Sequence, residues 1–377
     1  MNKYPALARA QAIPGFVLDK LYHRLRSPSE PAAILKSITG LPNLVTLNAV
    51  RVFATLGIAD VINGGTSDVE EIARKVGADF DGLSRVLRHL VGVGLLRYSG
   101  KGQVELTHVG ALLIKGHPSL SSEMFQMDGI GRRFDATIAE LMHSTMTGEP
   151  AYARANGEPL WNQLASDAQL ARTFDIDMAQ HIGSIGLTLA HSYDWSAISH
   201  VIDLGGGTGA LLSHLLLEHR HLRGTIVEYA DAATRARETL ENSVLGSRLT
   251  VEEGSFFDEL PKGADVYVLS WILHDWPDRE AIEILKRARQ AAGEKGQVFI
   301  IERPLDPKNL RTSTEDDLRV MVFVGGRERT LGEYSKVLAA ADLQLHSTLQ
   351  LRGRFTLMIA RGIPSSEQMP GPLKNVV

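Results

Sequence analysis

A histidine and two glutamates each stand at the end of a predicted structural element in the second half of the chain. His274 directly follows ADVYVLSWIL, Glu302 ends VFIIE, and Glu328 lies in GGRERT. Because the carboxyl ends of parallel strands meet at one edge of a sheet, these side chains are expected on one rim. An imidazole with carboxyl groups beside it can act as a general base with orienting partners. The alternative that His274 only caps the following helix stays open.

A glycine-rich turn ends another apolar run, in the stretch VIDLGGGTG. Such a turn is typical of a loop that passes close to a ligand before a helix begins. Gly205, Gly207 and Ala210 match the dinucleotide-binding pattern. Glu228 ends the next predicted strand, where an acid can pair with a ribose, although it could also be a solvated strand-end residue. Asp203 would lie next to a pyrophosphate and therefore favours a cationic ligand such as S-adenosylmethionine, which has no phosphate.

The second half of the chain alternates predicted strands and helices from His200 onward. This order requires crossover connections and predicts an α/β fold, a mostly parallel sheet with helices on both faces. LQLHSTLQL and RFTLMIAR are predicted to form an antiparallel pair at one edge. In such sheets ligands bind at the carboxyl ends of the strands, so the glycine turn is expected to be a binding loop.

The N-terminal part is predicted to be mainly helical. LPNLVTLNAVRVFATLGIADVING repeats apolar residues at helical spacing and stops at Asn63. A second helix is expected after a cap at Ser67, and FDGLSRVLRHLVGVGLLR is expected to be a third. YSGKGQVELT has the pattern of a two-stranded wing, and another helix is predicted from His108. These elements predict a winged-helix module.

Winged helices often bind DNA, but the charges of this one favour another role. The second helix begins with acids, and the third offers few basic side chains, namely Arg85, Arg88 and His89. A nucleic-acid reader is expected to present a basic face. The module is therefore predicted to serve dimerisation or to act as a lid, with no nucleic-acid partner.

The bulk composition favours small ligands. At 377 residues the chain is long enough for two domains, since single cores stop growing at about 250 to 300 residues. A net charge of -4 gives no reason to expect nucleic acid, and the absence of cysteine excludes disulfides and thiolate metal sites. The sequence shows neither the apolar core of a signal peptide nor a run of roughly 18 apolar residues. A cytoplasmic protein with no membrane partner is predicted.

Together the motifs resemble those of one enzyme family. DLGGGTG, its spacing to LHDWPD, and GGRERT with the following helix are similar to the O-methyltransferases of the caffeic-acid and hydroxyindole type. The resemblance covers roughly residues 40–362 and is closest to the bacterial branch that acts on aromatic polyketides and related natural products. It implies a Rossmann-like class I methyltransferase domain with a seven-stranded sheet, S-adenosylmethionine as cofactor, and a homodimer formed through the winged-helix domain.

The resemblance also implies a role for each site residue. His274 is the base, and Glu302 and Glu328 flank and orient it. The cofactor-binding positions are Asp203, Gly205 and Gly207 for the methionine end, Glu228 for the ribose, Ser255 and Phe256 for the adenine, and Ser270 and Trp271 on the next strand. Many family members have aspartate in place of Ser255, but a serine hydroxyl can still accept from the adenine amino group.

Four segments are predicted along the chain. They are a dimerisation domain at 1–118, a helical linker and substrate-pocket region at 119–195, the methyltransferase domain at 196–362 and a loose tail at 363–377. Apolar side chains are predicted to line the substrate pocket, namely Phe134, Met142, Trp161, Met178, Met321 and Phe323. Their character favours a flat aromatic acceptor of the polycyclic, polyketide-like kind.

The predicted function is methyl transfer from S-adenosylmethionine to a phenolic hydroxyl, with His274 taking the proton. Three alternatives stay open. Some relatives bind S-adenosylmethionine but catalyse hydroxylation, decarboxylation or ring rearrangement. A nicotinamide-dependent oxidoreductase would share the glycine loop, and a regulator would use the winged helix to bind DNA.

Overall fold

The chain divides between Met127 and Asp128 into two compact units. The computed structural model describes residues 44–117, 122–241, 243–307 and 310–363. The predicted tail lies outside the described residues from position 364 onward. The division of the chain into four segments stays a prediction.

The N-terminal unit consists of short helices and a two-stranded antiparallel sheet. Its elements are the helices Leu44–Thr55 (α1), Ile58–Asn63 (α2), Val69–Val76 (α3) and Phe80–Gly92 (α4) and the strands Leu96–Gly100 (β1) and Gln103–Leu106 (β2). The apolar faces of the helices pack around one core that includes Phe53, Ile72 and Leu87. Helices followed by a hairpin wing are the order that the sequence predicts.

Three local features of this unit differ from the predictions. Gly57 adopts a left-handed φ of 60°, so the first predicted helix is two helices, α1 and α2. The cap of α3 is Asp68 rather than Ser67, because the Asp68 carboxyl accepts from the Glu71 N–H. After the wing, Gly110–Leu113 forms a short 3₁₀-helix and not the predicted α-helix.

A seven-stranded sheet forms the centre of the second unit. Its strands are His200–Leu204 (β3), Arg223–Glu228 (β4), Leu249–Glu253 (β5), Val266–Ser270 (β6), Gln297–Glu302 (β7), Leu343–Gln350 (β8) and Thr356–Gly362 (β9). They lie in the order β5-β4-β3-β6-β7-β9-β8. Strands β3 to β7 are parallel, and β9 pairs antiparallel with both β7 and β8. The predicted sheet is confirmed, and the carboxyl ends of its parallel strands share one edge.

Helices cover both faces of this sheet. Not every helix of this unit packs on the sheet. The helices of the unit are Ile130–Ile138 (α5), Leu141–Thr147 (α6), Tyr152–Asn156 (α7), Leu160–Ser166 (α8), Ala168–Ser192 (α9), Ala210–Glu218 (α10), Ala230–Leu240 (α11), Asp278–Ala292 (α12), Leu310–Val324 (α13) and Leu331–Ala339 (α14). One apolar core packs α12 and α14 on the sheet, and a second core packs α9 and α10 on alternate strand residues. Within the described ranges, no helix is long and apolar enough to cross a bilayer.

Candidate active site

The glycine turn connects the end of β3 to the start of α10. Gly205, Gly207 and Gly209 have positive φ values of 72°, 54° and 83°, which glycine adopts without strain. The Gly205 N–H donates to the Val227 carbonyl oxygen at 2.9 Å and so fixes the turn against β4. A Cβ on Gly205 would lie 2.6 Å from Ile272 Cδ1, so a larger residue here would also displace that side chain. The turn is thereby held at the carboxyl edge of the sheet.

Two carboxyl groups lie at this turn, at or near the ends of neighbouring strands. Asp203 is 1% exposed, and its Oδ1 atom has no hydrogen-bond partner within the described part of the chain. Burial raises the pKa of Asp203 to about 7, and the charge of Glu228 adds to this rise. Glu228 Oε1 accepts from the Gly207 N–H at 2.9 Å, while burial raises the pKa of Glu228 as well. A cation or a hydrogen-bond donor placed here would stabilise both acids in their ionised form.

Unpaired polar atoms also lie at the end of β6. The Ser270 Oγ and Trp271 Nε1 atoms are buried without a hydrogen-bond partner among the residues that the structure describes. Trp271 has a φ of 58°, a strained value for a residue with a side chain. The Arg303 guanidinium lies 4.8 Å from the centre of the Trp271 ring and stabilises its position. Together with Asp203 Oδ1, these atoms fit a ligand that carries both donors and acceptors, as S-adenosylmethionine does.

The two residues predicted to contact adenine lie beside Tyr229, which directly follows Glu228, the predicted ribose acid. Ser255 Oγ donates to Tyr229 Oη at 3.3 Å and accepts from the Phe257 N–H at 3.1 Å. Phe256 is 8% exposed, and its ring centre is 6.0 Å from that of Tyr229. All eight positions predicted to bind the cofactor therefore lie on β3, β4, β6 or the loops that follow the carboxyl ends of these strands and β5.

His274 lies on a 3₁₀ turn just beyond β6, among three carboxyl groups. Its Nδ1 atom is 2.8 Å from Glu328 Oε1 and 3.9 Å from Glu302 Oε2. Its Nε2 atom is 3.4 Å from Asp275 Oδ1. His274, Glu302 and Glu328 are all buried. The structure thus brings the three predicted catalytic residues together and adds Asp275, which the sequence interpretation did not single out.

The carboxyl groups change the proton affinity of this cluster. Burial alone would lower the pKa of His274, but the charges of Asp275, Glu302 and Glu328 together raise it to about 10. Burial raises the pKa of Asp275 to about 6 and that of Glu302 to about 8. The cluster therefore retains protons at neutral pH, and the imidazole is a stronger base than a free histidine.

Glu302 fixes the backbone of the turn that carries His274. Its Oε1 atom accepts from the N–H groups of Ile272, Leu273 and His274 at 3.2, 2.9 and 3.4 Å. The end of β7 thereby positions the turn that follows β6.

The element GGRERT encloses the same turn from the other side. The Arg327 N–H donates to the His274 carbonyl oxygen at 2.8 Å. A Cβ on Gly326 would overlap that oxygen, so this approach requires glycine. Glu328 directly follows Arg327, and its side chain contacts the imidazole itself.

Arg329 completes this enclosure with a fully buried side chain. Its guanidinium donates to the carbonyl oxygens of Leu273 and Trp276, each at 2.7 Å. It also pairs with Asp278 at 2.8 Å. One side chain therefore holds the backbone on both sides of His274.

A cavity of about 140 Å³ lies beside this turn. Its lining residues are Pro150, Tyr152, Ala153, Pro159, Leu160, Trp161, Asp275, Trp276, Phe323 and Val324. Asp275 contributes the only carboxyl group among these residues. Aromatic walls with few polar groups are typical of sites for small aromatic ligands.

The structure brings two of the six predicted pocket residues, Trp161 and Phe323, to this cavity. Phe134 lies behind the wall, stacked on Phe323 with ring centres 4.3 Å apart. Met142 does not reach the cavity and is 72% exposed. The remaining two predicted residues, Met178 and Met321, are partly buried and do not line the cavity.

The sequence interpretation missed several residues of this site. Asp275 and Trp276 stand beside His274 in LHDWPD, so their adjacency to the predicted base was an available signal. Tyr152 lines the cavity from a short helix that no periodicity marks. Arg329 is charged, and its type alone predicts an exposed residue.

The fold and the site define a class of enzyme. The sheet is mostly parallel, a glycine turn follows β3, an acid ends β4, and a histidine–carboxyl cluster lies at the same edge. This is the arrangement of a class I methyltransferase. The chain belongs to the O-methyltransferase family: the family model for the O-methyltransferase domain matches residues 138–344, and that for the O-methyltransferase dimerisation domain matches residues 42–116. It is an S-adenosylmethionine-dependent O-methyltransferase, which confirms the predicted enzyme class and cofactor and sets the nicotinamide alternative aside.

Similar proteins come from bacterial natural-product pathways. A 2,7-dihydroxy-5-methyl-1-naphthoate 7-O-methyltransferase of Streptomyces carzinostaticus is 41% identical over 82% of this chain and 93% of its own length. Aclacinomycin 10-hydroxylase of Streptomyces purpurascens is 37% identical over 85% of this chain and 88% of its own. An O-methyltransferase from neocarzinostatin biosynthesis has a similar crystal structure, which was solved in complex with S-adenosylmethionine and 2-hydroxy-5-methyl naphthoic acid. Its sequence is 39% identical, and the TM-score is 0.77 over 86% of this chain and 98% of that one.

Cofactor binding is expected to strengthen as the pH rises through 7. Asp203 is protonated below its pKa of about 7, and S-adenosylmethionine is a cation, so the ionised carboxyl binds it better. Calorimetric titration with S-adenosylmethionine from about pH 6 to 8 should show an affinity gain of up to about tenfold, with proton release on binding at the lower pH. In Asp203→Asn, this pH dependence should be lost. A wild-type affinity that does not change over this range would contradict the assignment.

Proposed function

We propose that the enzyme methylates a phenolic hydroxyl of a flat aromatic natural product of the polycyclic, polyketide-like kind, with His274 as the general base. The observation that carries this proposal is the cavity with aromatic walls that adjoins the His274 turn through Asp275 and Trp276. The name of one relative points the same way, since that protein is a 7-O-methyltransferase of a dihydroxynaphthoate. It supports an aromatic acceptor without identifying it.

The acids around His274 determine which nitrogen is available for proton transfer. A proton on Nδ1, donated to Glu328, leaves Nε2 as the acceptor for the phenolic proton. Nε2 lies on the side of Asp275, which is one of the residues that line the cavity. A hydroxyl bound at this end of the cavity would therefore meet the basic nitrogen.

The raised pKa of His274 changes which step of the proton transfer costs free energy. A free histidine near pKa 6.5 and a phenol near 10 differ by about 3.5 units, so full transfer would cost about 5 kcal/mol. With its pKa at about 10, His274 matches the phenol and removes most of this cost. The cost moves to an earlier step, because at pH 7 the imidazole must first lose its own proton. The difference of about 3 units between the pKa of His274 and this pH corresponds to about 4 kcal/mol.

The rest of the rate enhancement is assigned to alignment. S-adenosylmethionine supplies, when bound, an electrophilic methyl group on a sulfonium. The aromatic walls, among them Trp161, Trp276 and Phe323, would hold the acceptor ring so that its oxygen points at that methyl group. Alignment of two bound reactants can lower the barrier by about 7 to 11 kcal/mol.

The assembly proposed is a homodimer formed through residues 42–116, which match the dimerisation model. A cytoplasmic location is proposed because a chain without cysteine has no disulfide that would need an oxidising compartment. No nucleic-acid partner is proposed, since α4 of the N-terminal unit, the candidate recognition helix, carries few basic groups.

The first test is turnover with a panel of hydroxynaphthoic acids. Each productive acceptor should yield one methyl ether and one S-adenosylhomocysteine per turnover, measured by liquid chromatography with mass spectrometry. The matched control is the same acid with its hydroxyl already methylated, which should give neither product.

The products also distinguish methyl transfer from the non-methylating alternative. A product that gains oxygen, or S-adenosylmethionine that is bound but not consumed, would indicate hydroxylation of the kind named for aclacinomycin 10-hydroxylase. An N-methyl product from an amino analogue, with no product from the phenols, would contradict the choice of acceptor atom.

A further inference from the structure

Helix α9 is longer than the strand that follows it. It has 25 residues, or about 37 Å, whereas β3 has five residues, or about 17 Å. A Cβ on Gly186 would lie 2.8 Å from the Leu211 carbonyl oxygen, so α9 packs closely on the first turn of α10. This turn follows the glycine loop directly, and the half of α9 before Gly186 therefore extends beyond the carboxyl edge of the sheet.

Two contacts fix this overhanging half of α9. On one side, Arg235 Nε of α11 lies 2.5 Å from Asp175 Oδ2, and its Nη2 lies 3.5 Å from Oδ1. On the other side, the His181 ring centre is 5.5 Å from that of Trp271. Asp175 and His181 thus anchor one helix to the elements that follow β4 and β6.

The two anchors lie on either side of the glycine turn. Strands β4 and β6 are the two neighbours of β3 in the sheet, so the elements that follow them flank the turn that follows β3. The contacts of α9 with Arg235 and Trp271 therefore hold its overhanging half between the Glu228 side and the Trp271 side of that turn.

The first anchor is shielded from solvent and lies close to the ribose acid. The Asp175 and Arg235 side chains are 16% and 20% exposed, so water screens their attraction less than it does for a surface pair. Asp175 and Arg235 also act on the pKa of Glu228 in opposite directions, the carboxylate raising it and the guanidinium lowering it. Loss of either partner would leave an unbalanced charge beside Glu228.

We propose that the ion pair between Asp175 and Arg235 is a cofactor-positioning element, which holds α9 across the glycine turn and slows dissociation of the bound nucleoside. Both are positioning residues, because they act through α9 and Glu228. The proposal concerns the cofactor side of the site and does not depend on the identity of the methyl acceptor.

The test compares the single variants Asp175→Asn and Arg235→Gln with the exchanged pair Asp175→Arg/Arg235→Asp. Each single variant should raise the Kd for S-adenosylhomocysteine about tenfold, mainly through faster dissociation, as measured by calorimetry and stopped-flow fluorescence. In steady state, KM for S-adenosylmethionine should rise by a larger factor than kcat falls. The exchanged pair should bring Kd back to within about threefold of the wild type.

Arg85→Gln is the matched control, since it breaks the exposed ion pair with Asp81 and should leave Kd unchanged. Thermal unfolding of each variant shows whether it is folded at the assay temperature. A single variant that is folded and keeps the wild-type Kd would overturn the proposal. So would an exchanged pair that binds no better than the single variants, because the effect would then not belong to the ion pair.

Discussion

The variant His274→Ala should lose about 10²- to 10⁴-fold in kcat and keep its affinity for S-adenosylhomocysteine. The loss is expected because alanine removes the base that takes the phenolic proton. Affinity should be retained because the predicted cofactor contacts come from other residues, among them Asp203 and Glu228. Turnover with a hydroxynaphthoic acid and calorimetric titration measure the two quantities separately.

The pH profile gives this prediction a second readout. The pKa of His274 is raised to about 10, so its neutral, basic form becomes more populated as the pH rises from 7 toward 10. The wild-type kcat should therefore rise on the alkaline side of neutrality. His274→Ala measures how much of that rise comes from ionisation of the phenol itself. An alanine variant with wild-type kcat, or with the wild-type profile, would remove His274 from the proton transfer.

Glu328→Gln tests the orientation of the same imidazole. Glutamine keeps the shape but turns the partner of Nδ1 into a neutral group, so it weakens the hold on the productive tautomer. The expected loss in kcat is smaller than for His274→Ala, because a base is still present. Equal losses would mean that the tautomer, and not the base alone, limits the rate.

The positions at strand ends could be predicted because the topology of a parallel sheet fixes them. Asp203, Glu228, Ser270 and Glu302 each lie at or near the carboxyl end of a strand whose apolar run is plain in the sequence. Strand polarity then places all of them on one edge, whatever the packing of the helices. The glycine turn could be predicted for a similar reason, since positive φ values at Gly205, Gly207 and Gly209 leave few other residue types at these alternate positions.

The walls of the cavity could not be predicted in the same way. Aromatic and methionine side chains at helical spacing satisfy a core, a cavity wall or an exposed face equally well. Trp161 and Phe323 reach the cavity, whereas Met142 on α6 is exposed. The outcome depends on which way each short helix is rotated against its neighbours, and tertiary packing decides that rotation.

The burial of the charged residues in GGRERT could not be predicted from the sequence either. Arg327 and Arg329 are two residues apart and chemically identical, yet the side chain of Arg327 is 49% exposed and that of Arg329 is fully buried. No local pattern distinguishes them. The difference arises because the turn after β6 offers two carbonyl oxygens to Arg329, whereas Arg327 pairs only with side-chain carboxylates, those of Asp278 at 3.9 Å and Glu333 at 3.4 Å.

This contrast supplies the last prediction, the pair Arg329→Met and Arg327→Met. Methionine at position 329 fills part of the volume but leaves the Leu273 and Trp276 carbonyl oxygens without their donor. The free energy of unfolding should fall by about 2 to 4 kcal/mol, since buried acceptors lose a charged partner while Asp278 is half-exposed and regains water. Denaturant titration followed by circular dichroism measures the loss.

The turn that carries His274 should also become less well positioned in Arg329→Met, so kcat should fall in the variant that is still folded, with a smaller change in KM for the acceptor. Arg327→Met keeps the backbone N–H that donates to the His274 carbonyl oxygen, so both its stability and its kcat should stay close to the wild type. Arg329→Lys keeps the charge, but lysine cannot reach both carbonyl oxygens at once. Its stability and kcat should therefore lie between those of Arg329→Met and Arg327→Met. If Arg329→Met and Arg327→Met lost stability equally, the effect would belong to the charge of the segment, and the buried guanidinium would not be what holds the catalytic turn.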